Sequence, residues 1–227
     1  MRSASDPTAI AGMPAAAPDR TLSIVSDAIC PWCYVLKRRL DRIQQRLPEV
    51  ARFALSWKPY QLNPDMPREG MDRKAYRSAK FGSWEKSLAL DAQVKAAAAD
   101  DIEFHHERMT RTPNSFNAHR LVWWAGQRGL QDETVEAIFE GYFVLGQDIG
   151  DTETLAKLAA RAGLDRDQAL AFLTSDEGAA EVRAEELAAG ALGVRSVPTV
   201  RFGEQTLFSG APQAGDLERL LIRLNGQ

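Results

Sequence analysis

Cys30 and Cys33 are the only cysteines among the 227 residues, and Pro31 and Trp32 separate them. Two thiols at this spacing support two kinds of chemistry. In reversible dithiol–disulfide exchange, one thiolate attacks a substrate disulfide and the second thiol resolves the mixed disulfide. Alternatively, the pair is half of a zinc site. Zinc would draw its other donors from His105, His106 and His119, which are all the histidines present. Vicinal side chains such as His105 and His106 point in different directions on a helix or a strand. Two cysteines with no second pair also fall short of the usual ligand spacing. A structural staple is a poor third reading, because closing so short a loop hardly constrains the unfolded chain. Redox use is the expectation, with no metal.

Exchange needs the first sulfur where a negative charge is favoured. Leu22, Ile24 and Val25 form a short apolar run that predicts a strand over 21–27, followed by a turn at 27–29. From Pro31 the period changes. Leu36, Leu40, Ile43 and Leu47 fall on one helix face, and Pro48 ends the helix. Cys30 then stands at a helix N-terminus, where unpaired N–H groups and the helix dipole favour a thiolate. Pro31 suits the first helical position, where a missing N–H costs nothing. Cys33 follows one turn later on the same face. Trp32 is expected to present an aromatic surface beside the sulfur. Phe53, Leu55 and Trp57 alternate with polar or small residues, which predicts a second strand and a right-handed βαβ unit.

Residues 59–71 read as loop, and a helical block follows. Ser83 is a candidate cap for a helix to about Ala99, and Asn114 for one containing Leu121 and Trp124. Val135, Ile138, Phe139, Tyr142 and Phe143 give the clearest helical face, within 132–145. Further helices are expected from Asp151 or Thr152 to Gly163, over 166–174, and over 176–192. Strands return at 198–202 and 205–208 around a Gly203-Glu204 turn, and a last helix covers 213–224. The organisation is α/β: a βαβ half and a ββα half interrupted by a large helical insertion.

Gly193-Val194-Arg195-Ser196-Val197-Pro198-Thr199 resembles the cis-proline segment of thioredoxin-fold proteins. With the upstream Cys-x-x-Cys and the insertion, it resembles the DsbA branch of that superfamily. The match narrows through Cys30-Pro31-Trp32-Cys33-Tyr34, Tyr60-Gln61-Leu62-Asn63-Pro64, Asn114–Leu121 and Ala191–Val194. These stretches look like the FrnE-like group of DsbA-family oxidoreductases. The group is related to 2-hydroxychromene-2-carboxylate isomerases and kappa-class glutathione transferases. The resemblance implies a thioredoxin-like fold with a DsbA-like, all-helical insertion. Its parts would be a disordered tail at 1–20, a first half at 21–70, the insertion at 71–193 and a second half at 194–227.

The resemblance further implies that Cys30 is the nucleophile and Cys33 the resolving thiol. It implies a cis Val197–Pro198 bond against the cysteines, with Val197 pairing with an extended substrate. Pro31, Trp32, Val197, Pro198 and His119 are the candidate substrate-binding residues. Trp32 stands where periplasmic DsbA enzymes carry a histidine. An indole cannot stabilise the thiolate by charge, so a less oxidising couple is expected. No cofactor beyond the redox disulfide is implied, with glutathione a candidate co-substrate. The related isomerases and transferases carry a serine in place of Cys30, so glutathione-dependent isomerisation is the alternative activity. A redox-sensitive binding module or chaperone is the other.

Two further side chains have two readings each. Asp27 is a turn or cap residue, or a proton relay to the cysteines. His119 is a structural histidine, or it lines the cleft. One of Trp123 and Trp124 is expected in the core, and Phe81–Trp84 is either a lid or a helix start. The formal net charge of -3 gives no electrostatic reason for a nucleic-acid partner. No apolar run approaches the ~20 residues that span a bilayer. Residues 1–20 lack the pattern of a signal peptide, which sets the expectation of a cytoplasmic protein acting on protein or small-molecule disulfides with a separate redox partner.

Overall fold

The structure is a computed structural model that describes residues 20–98 and 101–225. The tail expectation for 1–19 lies outside the described residues, as does the predicted helix end at Ala99. Arg20, the last tail residue by composition, is anchored. Its carbonyl accepts from the Ala54 N–H at 3.0 Å, and its guanidinium donates to the Ala51 carbonyl and sits 4.7 Å over the Phe53 ring.

Strand β1 (Thr21–Ser26) feeds helix α1 (Pro31–Arg46), which returns to strand β2 (Ala54–Pro59). The two strands are parallel, with Leu22 opposite Leu55 and Ile24 opposite Trp57. On the other edge of β1 lies β5 (Thr199–Phe202), antiparallel, followed by β6 (Gln205–Ser209). The sheet order is β2-β1-β5-β6. Pro198 was expected to open β5 but precedes it, since it has no N–H to give the ladder. α1 buries Leu36, Leu40 and Ile43, each worth about 1.5–3 kcal/mol relative to exposure. It packs on the final helix α9 (Ala214–Asn225), whose Leu217 and Leu221 are buried.

Between the halves lie α2 (Arg73–Phe81), α3 (Trp84–Ala97), α4 (Phe116–Gly126), α5 (Gln131–Phe143), α6 (Thr152–Arg161), α7 (Arg166–Thr174) and α8 (Ala179–Ala191). A two-residue ladder, β3 (Met71–Asp72) with β4 (Arg111–Thr112), ties the ends of the α2–α3 hairpin together. Periodicity did not mark that ladder, because two-residue strands have no period to read. Ser83 caps α3 by accepting from the Lys86 N–H, and Asp151 caps α6 through Thr154. Asn114 acts one residue before the N-cap of α4: its Oδ1 accepts from the Phe116 N–H, while Ser115 occupies the cap position. α8 starts at Ala179, three residues later than expected, after the N-cap Gly178, where φ is +74° and a Cβ would lie 2.8 Å from the Trp123 ring. Only glycine fits there.

The predicted face of α5 is buried in full, from Val135 to Phe143. Its first turn docks on edge strand β2. The Trp57 N–H donates to Gln131 Oε1 at 2.9 Å, Gln131 Nε2 donates to the Trp57 carbonyl at 3.2 Å, and the Trp57 indole donates to Asp132 at 2.8 Å. The glutamine thus stands in for a neighbouring strand and covers an open edge. Arg120, buried on α4, donates to the carbonyls of Phe172, Leu173, Ser175 and Glu177 and so organises the α7–α8 connection. Among the described residues, no helix is long and apolar enough to cross a membrane.

Candidate active site

β1 ends at Ser26, and the chain turns through Asp27. The Asp27 carbonyl accepts from the Cys30 N–H at 3.0 Å, and its Oδ1 accepts from the Ile29 N–H at 3.3 Å. Cys30 is the N-cap of α1, in extended backbone, with no side-chain cap and with Pro31 next. No side-chain oxygen caps the first turn of α1, which suits a sulfur anion at this end. Both cysteines are free thiols. The Cys30 thiol donates to the Val197 carbonyl at 3.7 Å, across 167 positions of sequence.

The Val197–Pro198 peptide is cis. The Pro198 carbonyl accepts from the Gly210 N–H at 2.7 Å, and the Thr199 hydroxyl donates to the Ser196 carbonyl at 2.7 Å. These bonds hold the segment that delivers the Val197 carbonyl to the sulfur.

Cys33 is fully buried beneath Cys30. Burial pushes its thiol pKa well up, and the neighbouring Cys30 adds to this. The Ser26 hydroxyl and the Asp27 backbone amide pull the other way. The two sulfurs are thus unequal: one lies at the rim of a groove, the other is shielded from water.

That groove has a volume of about 360 Å³. Cys30, Pro31, Trp32 and Val197 line it together, as expected from sequence, with Ile29, Leu62, Phe81 and Leu90 adding apolar wall. Pro198 is buried behind Val197. Phe81 is the part of the 81–84 stretch that reaches the groove. Trp84 instead packs against Arg73, with the guanidinium 5.6 Å from its ring.

Sequence reasoning missed the polar wall. Lys80 donates to Asn63 Oδ1 at 2.7 Å and to the Tyr76 hydroxyl at 2.9 Å, and Tyr76 also bonds Asn63. Arg77 donates to Asp91 at 2.8 Å on the facing helix. All five residues line the groove. The signal available was the Arg73, Arg77, Lys80 spacing along one helix face, next to the Tyr60–Pro64 stretch.

His119 does not line this groove. It is buried, and its Nε2 lies 3.3 Å from Oδ1 of the fully buried Asp27. Asp27 also accepts from the Leu62 N–H at 2.6 Å through Oδ2. Trp124 is in the core, stacked on Phe172, while Trp123 is half-buried. His106 stacks on Phe104, and His105 bonds Glu107, both away from the cysteines. Among the described residues no three His, Cys, Asp or Glu side chains form a metal-binding group.

Comparison with known proteins places this geometry. The chain is 29% identical to a probable DsbA oxidoreductase from Streptomyces coelicolor, covering 91% of this chain and 90% of that one with a TM-score of 0.80. The cytosolic disulfide reductase DsbM from Pseudomonas aeruginosa, solved with GSH, shares the fold at 18% identity and a TM-score of 0.65, over 91% and 100% of the two chains. The uncharacterized protein YwbO of Bacillus subtilis (strain 168) is 26% identical over 145 residues, which are 63% of this chain and 66% of that protein. The match therefore spans just under two thirds of YwbO. The family model for the DSBA-like thioredoxin domain matches residues 21–221, nearly the whole described chain, and the protein belongs to that family.

Proposed function

We propose that this protein is a thiol–disulfide oxidoreductase that reduces disulfides, with Cys30 attacking and Cys33 resolving. The observation that carries the reading is the placement of Cys30: an uncapped helix N-terminus, at the edge of a groove, against the Val197 carbonyl. In the first step the Cys30 thiolate attacks a substrate disulfide, and one substrate sulfur leaves as a thiolate. Cys33 then attacks the Cys30 sulfur, and the second substrate thiolate leaves. Two electrons have moved from the enzyme dithiol to the substrate, and a Cys30–Cys33 disulfide remains. Two equivalents of a thiol such as glutathione restore the dithiol and leave as glutathione disulfide. Trp32, Leu62, Phe81 and Leu90 offer an apolar surface to the substrate, while Lys80, bonded to the neutral Asn63 and Tyr76, offers positive charge to its carboxylates. Trp32 carries no charge to stabilise the thiolate, which fits a couple suited to reduction. The cytosolic setting and glutathione of the DsbM structure support the same direction in a reducing cytoplasm.

The test is turnover of hydroxyethyl disulfide and of insulin with glutathione as reductant. Wild type is expected to exceed background on both. Cys30→Ser is expected to be inactive, and Cys33→Ser to accumulate a mixed disulfide on Cys30 seen by mass spectrometry. Wild-type rates at background on both substrates would overturn the reading.

A further inference from the structure

The resolving step poses a problem of proton removal. Cys33 must lose its proton to attack, yet its sulfur has no contact with solvent. In the mixed disulfide Cys30 has no proton-accepting thiolate left. The Ser26 hydroxyl and the Asp27 backbone amide both bond the Cys33 sulfur. An amide N–H cannot accept a proton, whereas the Ser26 hydroxyl oxygen can.

Ser26 also lines a second cavity, which shares no lining residue with the groove. Ser26 and His119 both line it, with Trp57, Val122, Trp123 and Ile138 forming apolar walls. Its free volume is about 20 Å³, enough for one water. Lys58 and Glu185 also line it and bond each other at 3.0 Å, both partly exposed. The cavity therefore runs from Ser26 to the surface.

His119 is the one imidazole on this path. Its Nε2 is buried, lies 3.3 Å from Asp27 Oδ1, and is out of hydrogen-bond alignment with it. A contact of this kind tightens when the ring becomes charged, because an ion pair replaces a weak neutral contact. The charged groups around the ring come from three elements. Asp27 is in the β1–α1 turn, Glu185 and Glu186 are on α8, and Lys58 is on β2. Glu186 Oε1 is buried without a hydrogen-bond partner, and burial raises the pKa of its carboxyl.

We propose that His119, positioned by Asp27, takes the Cys33 proton through the Ser26 hydroxyl and one water in this cavity. The proposal rests on the assignment of Cys30 and Cys33 above and adds the fate of the proton. As Cys33 attacks, its S–H proton passes to Ser26 Oγ, the Ser26 proton passes to the water, and the water protonates His119. The Cys30–Cys33 bond forms, the Cys30–substrate bond breaks, and the substrate leaves as a thiolate. The proton then leaves through the Lys58–Glu185 mouth. No group outside the substrate and this chain gains or loses an electron.

The experiment is stopped-flow release of thionitrobenzoate from Ellman's reagent by the reduced protein. The first equivalent reports attack by Cys30 and the second reports resolution by Cys33. His119→Gln is expected to slow the second phase relative to the first by on the order of 100-fold at pH 6–7, the size of a general-base effect. The gap should narrow as pH rises and Cys33 ionises without help. His119→Gly with added imidazole, which fits the enlarged cavity, should regain the fast second phase. Ser26→Ala, a smaller change to the fold, should also slow the second phase selectively. The proposal is overturned if Ser26→Ala and His119→Gln leave the ratio of the two phases unchanged. It is also overturned if imidazole has no effect on His119→Gly. A wild-type trace with no second phase would instead sink the Cys30–Cys33 assignment itself.

Discussion

The Cys30 sulfur and the Val197 carbonyl oxygen lie 3.7 Å apart, and the thiol is the donor. This contact exists only while Cys30 is protonated, since a thiolate has no hydrogen to give. Ionisation of Cys30 therefore releases the Val197 carbonyl at the moment the sulfur becomes reactive. A freed main-chain acceptor beside a nucleophile suits an extended substrate that pairs by its own N–H groups.

The first prediction follows from that pairing. Methylating the substrate amide next to its disulfide cysteine should lower kcat/KM about two- to tenfold, the range of one net hydrogen bond. The rate of Cys30 alkylation by iodoacetamide should not change, because the reagent makes no such pair. Equal kcat/KM for methylated and plain peptides would remove Val197 from substrate binding.

Trp32 leads to a second prediction. Its indole lines the groove beside Cys30 and offers no charge to a thiolate. Trp32→His should stabilise the reduced form and make the couple more oxidising. One charge-assisted contact of about 1.4 kcal/mol corresponds to about 30 mV for this two-electron couple. The shift should be larger at pH 6 than at pH 8, where the imidazole is mostly neutral. Equilibration with glutathione redox buffers measures it, and an unchanged or more reducing potential would count against the argument.

Lys80 supplies the third. Its ammonium sits in the groove wall, held by Asn63 and Tyr76. Lys80→Ala should raise the KM for glutathione disulfide about three- to tenfold and leave hydroxyethyl disulfide, which has no carboxylate, unaffected. The difference should shrink in 0.5 M salt, where the Debye length falls to about 4–5 Å. Equal effects on both substrates would point to a change in fold or groove shape instead of charge.

What could be read in the sequence was what local pattern carries. The apolar period of α1, the breaker at Pro48 and the proline at the first helical position suffice to put Cys30 at a helix start. The Val197-Pro198 segment was legible because its residue types resemble a family pattern. The groove's polar wall was not, since Arg77 and Lys80 share a lining with Trp32 only once α2 is packed beside the α1 start. Asp27 and His119 were each singled out with two readings, but their contact across 92 positions, Asp27 to His119, is set by the docking of α4 on the β1 turn. Gln131 gave no signal either. Its role depends on β2 having a free edge, which is a property of the sheet order and of no single segment.

That edge gives the fourth prediction. Gln131→Ala leaves both the N–H and the carbonyl of Trp57 without their side-chain partners. The expected loss is about 1–3 kcal/mol of unfolding free energy, with water replacing part of the bonding. Urea unfolding measures it. Gln131→Glu should recover the bond from the Trp57 N–H but not the one to its carbonyl, and so should fall between the two. A loss below about 0.5 kcal/mol for the alanine variant would show that the edge is covered by other means.

His106 gives the last, and it concerns pH. The ring is buried and lies 4.9 Å from Phe104, nearly parallel to it. Burial lowers its pKa, Arg73 and Arg77 push the same way, and Asp91 opposes them. The folded protein therefore takes up this proton less readily than the unfolded chain, whose histidine titrates near 6.5. Stability from a neutral His106 is present in full above that value. It is lost as pH falls below it, towards the lower folded-state pKa, because only the unfolded chain gains the proton. Thermal unfolding should show Tm falling between pH 7 and pH 5 in the wild type. His106→Phe keeps a stacked ring and removes the titration, so its Tm should fall less over the same interval. Carboxylates that titrate in this range are common to both proteins and cancel in the difference. Parallel Tm–pH curves for the two proteins would show that the buried ring is already charged, or that it titrates alike in both states.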